Sequence, residues 1–76
     1  MATEIKKDMK LKINGKIYRV LNVMITDELN ENGKEYERWT VIIGGVGNYE
    51  EMKKRGSMGL DVLLQKIDNK EVEIIN

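Results

Sequence analysis

Apolar and polar residues alternate one by one through the first half of this chain, and the period then changes. Met9, Leu11 and Ile13 alternate with Lys10 and Lys12, the pattern of a half-exposed strand. Asn14-Gly15 follows and suits a type I′ hairpin turn, whose two central residues need positive φ. Lys16 to Thr26 reads as a long second strand, with Ile17, Leu21, Val23 and Ile25 on one face and Tyr18, Val20 and Met24 on the other. A strand apolar on both faces lies between two layers or bends from one to another. Asp27 to Lys34 is a polar turn carrying Asn32-Gly33, a second positive-φ signal. Glu35 to Ile43 reads as a third strand, with Trp39, Val41 and Ile43 opposite Tyr36, Arg38, Thr40 and Ile42. These three strands are expected to form an antiparallel meander.

Gly44-Gly45-Val46-Gly47-Asn48 then breaks the alternation. Asn48 can cap a short helix, with Glu51 three residues on as in a capping box, and Gly56 is read as its end. Leu60, Leu63, Leu64 and Ile67 fall on one helical face. A strand from Leu60 to Ile67, turned by Asp68-Asn69-Lys70, is the competing reading, because short apolar segments are ambiguous by period. Glu71 to Ile75 alternates around Val72 and Ile74 and closes the chain as a strand.

The expected fold class is therefore α+β: a small twisted antiparallel sheet of four to five strands with one or two short helices. The long second strand and the late short one suit curling into a partly open SH3- or OB-like barrel. Residues 1–8 carry no sustained pattern and are expected to be a flexible start, with 9–76 a single small β-rich domain. With three Tyr, no Phe and a single Trp, Trp39 is expected to be the largest core side chain.

Composition narrows the chemistry. The chain has no Cys and no His. That removes disulfides, thiolate nucleophiles, thiolate or imidazole zinc sites and the usual general base near neutral pH. No enzyme activity, no cofactor and no metal site is expected. The run of residues 27–37 holds five acids, but the position sixth from Asp27 is Asn32 where a calcium loop needs Gly. No apolar run, Val41-Ile42-Ile43 included, exceeds three residues, far below the roughly 20 residues of a membrane span. Residues 1–12 lack the apolar stretch of a signal peptide, so a cytoplasmic protein without membrane contact is expected. Ten Lys, nine Ile and seven Asn against one Ala and no Pro suit AT-rich codons, as in a low-GC bacterium or a phage or mobile element within one.

Four constellations are candidates for function. The formal net charge is zero, but residues 1–19 carry six basic and two acidic groups while residues 20–52 carry two and seven. Lys10, Lys12, Lys16 and Arg19 could follow a nucleic-acid backbone, although the hairpin offers only Tyr18 for stacking. Gly44, Gly45, Gly47 and Asn48 could turn backbone N–H groups toward a small anionic ligand or nucleotide, in an oligomer that supplied the rest of a pocket. They match neither the dinucleotide nor the phosphate-loop pattern. Lys53-Lys54-Arg55 reads as a solvated helix end. Tyr36, Tyr49 and Met52 are candidate apolar anchors for a protein partner. The leading expectation is a small interaction protein that binds another protein, or itself, through a sheet edge or hairpin surface. Nucleic-acid binding is the alternative, and ligand sequestration by an oligomer the second.

Overall fold

A computed structural model of the chain describes residues 4–75. Strand β1 (Lys10–Ile13) turns into β2 (Lys16–Leu29) through Asn14 and Gly15, whose φ angles of 52° and 80° are those of the expected turn. β2 runs on to β3 (Glu35–Gly45) through a turn organised by Asn30. Its side-chain oxygen accepts the Asn32 and Lys34 backbone N–H groups, each at 2.9 Å, while Gly33 takes φ 74°. Then come a short helix α1 (Tyr49–Met52), strand β4 (Arg55–Gly59), helix α2 (Leu60–Asp68) and strand β5 (Val72–Ile74). The five strands form one antiparallel sheet in the order β4-β3-β2-β1-β5.

The fold is thus a small α+β domain with an open sheet. β4 and β5 are opposite edges, so the barrel closure suggested by the long second strand does not occur. The helical reading of Leu60 to Ile67 holds. Gly56 does not end α1: the helix stops at Met52, and Gly56 pairs with Ile43 inside β4. The segment Arg-Gly-Ser-Met-Gly has little strand propensity of its own, and β3 templates it from the side.

A bulge in β2 explains its two apolar faces. The register with β3 skips Leu21: Val20 pairs with Ile43, and Asn22 pairs with Ile42. An extra residue reverses the alternation, so Tyr18 and Val20 before the bulge share a face with Val23 after it. That face is the core. Leu11, Val20, Val41, Ile43, Leu63 and Val72 are buried there, with Ile13, Tyr18, Val23, Leu60, Ile67 and Ile74 packed around them. Helix α2 supplies Leu63 and lies across this front face. Among the described residues, no layer lies over the back face. Within residues 4–8, Ile5 packs on the core and the Asp8 N–H donates to the Val20 carbonyl at 2.8 Å. Residues 1–3 of the expected flexible start lie outside the described residues.

Trp39 is not the centre of the core. It is 42% exposed, because α2 ends its coverage of the sheet near Val41. Among the described residues, no helix is long and apolar enough to cross a membrane.

Candidate functional site

The neighbours of β2 and β3 run out before those strands do. β1 pairs with β2 only as far as Arg19, and the last backbone bonds on that side join Asp8 and Met9 to Val20. β4 pairs with β3 only as far as Thr40, because the chain leaves the sheet at Gly59 to begin α2. Beyond these points, among the described residues, β2 and β3 pair with each other alone, from Met24 opposite Thr40 to Leu29 opposite Glu35. The result is a two-stranded arm about 20 Å long at ~3.4 Å per residue, in a molecule of 44 × 29 × 18 Å.

The register fixes what each face and edge of the arm presents. Ile25, Asp27 and Leu29 of β2 stand on the front face with Trp39, Glu37 and Glu35 of β3. Met24, Thr26 and Glu28 stand on the back with Thr40, Arg38 and Tyr36. The Gly45 N–H donates to the Lys54 carbonyl across the β3–β4 edge at 3.0 Å, whereas the Val46 N–H donates to Ile17 on the β2 side. Backbone groups of alternate residues point to the same edge. The N–H and C=O of Val41, Ile43 and Gly45 are therefore directed at β4, those of Trp39 at the point where β4 leaves, and those of Glu35 and Glu37 at an edge that no strand among the described residues covers.

A groove of about 820 Å³ follows this edge, between the arm and the first turn of α2. Trp39, Met58, Leu60, Val62 and Leu64 give it apolar walls, and Glu37 and Asp61 lie among them. Asp61 accepts the Val62 N–H at 2.9 Å, so its carboxylate is held at the helix start. Arg38 also borders the groove, but from the back face, where it pairs with Glu28 at 3.6 Å. On the front, Asp27 and Glu37 are directly opposite each other, and like charges opposite one another are unfavourable across a sheet.

The candidates named from sequence are scattered by the fold. Tyr36 sits on the arm, 42% exposed. Tyr49 and Met52 are exposed on α1, packed beside Gly45, nine strand residues or about 30 Å away. These three do not form one patch. Lys10, Lys12 and Arg19 share the back face, with Lys10 opposite Arg19. Lys16 pairs with Ile13 and belongs to the other face. Lys12 is opposite Glu73 of β5, which tempers the basic surface there. Arg55, Gly44, Arg19 and Lys10 align across four strands.

The glycine-rich segment is taken up by packing. Gly44 is buried under the Leu21 side chain and the Arg55 guanidinium, and a Cβ on Gly45 would fall on the Glu51 carbonyl oxygen. The Asn48 side chain accepts the Glu51 N–H at 3.0 Å as the α1 cap. Glu51 does not complete a capping box; its carboxylate binds Lys54 at 3.2 Å. That hydrogen bond, and then the Glu51 charge, raise the Lys54 pKa above its usual value. Lys53 lies 4.4 Å from the centre of the Tyr49 ring and pairs with Glu50. Among the described residues no group of His, Cys, Asp or Glu could hold a metal ion.

Comparison with protein-family models, curated proteins and solved structures gives no match. The functional reading therefore rests on this geometry. Of its main residues, the sequence pattern marks Ile25 as a strand position and Trp39 as core, and it places Leu29 in the polar turn, whereas β2 runs on to Leu29. One signal was available: on the face that carries Val23 and Val41, the next positions outward include Asp27, Glu35 and Glu37. Three acids on one face of a hairpin mark where burial stops.

Proposed function

We propose that this chain is a non-catalytic interaction protein that takes up a partner protein along the β2–β3 arm. The observation that supports this reading is the uncovered edge of β3, with exposed Trp39 beside an apolar groove. An unpaired strand edge is a template for an extended segment of another chain. Main-chain hydrogen bonds then contribute affinity, and a few aromatic or aliphatic anchors dominate it. Ile25, Leu29, Tyr36 and Trp39 are 50%, 66%, 42% and 42% exposed, a concentration of apolar side chains that solvation alone does not explain.

The test is capture of partners on the immobilised full chain, with and without nuclease. The variants are an arm variant, Ile25→Thr with Trp39→Ala, and an α1 variant, Tyr49→Ala with Met52→Ala. The reading predicts a nuclease-resistant protein partner whose retention falls about tenfold or more in the arm variant and is unchanged in the α1 variant. Equal retention by wild type and arm variant contradicts it.

A second reading draws on the back face, where Lys10, Arg19 and Arg55 align across the sheet. That row suits a phosphate backbone. It predicts nuclease-sensitive capture that weakens steeply with salt.

A further inference from the structure

We infer that the occupant of the β3 groove is a basic, extended segment of a different protein, added to the sheet as a strand where β4 leaves it. This rests on the arm-docking reading and specifies its partner.

β4 pairs with β3 from Gly44 to Thr40 and then departs at Gly59. The next outward-directed backbone groups belong to Trp39, where β4 leaves, and then to Glu37 and Glu35, and the groove continues the path of β4 past them. An extended segment entering there meets backbone hydrogen-bond groups at the spacing of the existing ladder.

The side chains that share the front face with such a segment are Glu35, Glu37 and Trp39. Asp27 stands opposite Glu37, and Asp61 lies across the groove. Arg38 projects to the back and is occupied by Glu28. A lysine or arginine facing Glu37 relieves the Asp27–Glu37 repulsion. An apolar residue two positions along faces Trp39 and the α2 wall. The recognised pattern is therefore basic–any–apolar in an extended segment.

A second copy of this chain does not suit the groove. Two β3 edges can meet about a two-fold axis at residue 36, 37 or 38. The axis at 37 sets Glu37 against Glu37, that at 38 sets Arg38 against Arg38, and that at 36 sets Glu35 against Glu37. Every such register opposes like charges, which disfavours the pairing. The free edge of β2 carries Asp27 and Glu28 and repels the groove in the same way. The basic strand of this chain, β1, is already paired on both sides, with β2 and β5.

The experiment selects from a displayed library of random peptides of about a dozen residues, long enough for a typical strand, on the immobilised full chain and on Glu37→Lys. Circular dichroism and melting establish that both are folded. The inference predicts enrichment of basic–any–apolar peptides on wild type, and an approximately tenfold or greater weakening of the same peptides on Glu37→Lys. Peptides without basic bias that are still lost in Trp39→Ala overturn the charge assignment and leave edge docking standing. Peptides retained fully by Trp39→Ala, or no enrichment over the bare support, overturn both.

Discussion

The two ends of this small sheet are built from the same kinds of residues and come to opposite results. At one end β1, β5 and α2 converge on β2 and β3, and Leu11, Val20, Val41 and Leu63 are fully buried. At the other, β2 and β3 continue without neighbours among the described residues, and Ile25, Leu29 and Trp39 remain in water. The hydrophobic side chains do not distinguish the ends. Coverage does: α2 spans the front face only as far as Val41, and both flanking strands stop short. Burial of a full Leu or Val stabilises by roughly 1.5–3 kcal/mol, so stability belongs to the covered end. The arm contributes little to it and keeps its apolar side chains and backbone edge available.

One substitution made in both regions breaks or sharpens this contrast most strongly. Leu63→Ala, in the core, is expected to cost about 2–5 kcal/mol, a large share of the roughly 5–15 kcal/mol that holds a domain folded. Leu29→Ala, on the arm, is expected to fall within about 0.5 kcal/mol of wild type. Denaturant unfolding of both variants checks the pair, and a similar cost at both sites would erase the distinction. A smaller effect is expected where α1 presses on the sheet. Gly45→Ala places a Cβ against the Glu51 carbonyl, so α1 must move away, at a cost of about 1–3 kcal/mol. Thermal melting reads that shift, and an unchanged midpoint would mean that α1 is not seated on Gly45.

Much of the covered end was legible from the residues. Asn14-Gly15 named its turn, the alternation around Leu11 and Val41 named the strands, and Leu60, Leu63, Leu64 and Ile67 named α2. Strand β4 was not legible, because Arg55 to Gly59 holds two glycines and one apolar residue, and its conformation comes from β3. The bulge was also hidden. A single extra residue at Leu21 leaves the sequence looking apolar on two faces, which suggested a second layer or a closing barrel where there is one open sheet. Trp39 was misjudged for a related reason: its period marks the face it is on, but not how far α2 reaches along that face. Of the candidate sites, Tyr36 lies on the arm, while Ile25 was hidden as an ordinary strand residue, Trp39 as a core residue and Leu29 inside what the pattern marks as a polar turn. Whether a face is covered is a property of tertiary structure, and periodicity alone does not carry it.

The central claim is that the outer part of β3 has an open edge while its inner part is paired. Amide hydrogen exchange on the isolated, unliganded protein tests it directly. The Glu35 and Glu37 amides, directed away from β2 with no strand beyond them, are expected to exchange rapidly. The Val41 and Ile43 amides, directed at β4 on the same edge, are expected to be protected by orders of magnitude more. Equal protection along that whole edge would contradict the account, because it would require a partner for Glu37 that the isolated fold does not supply.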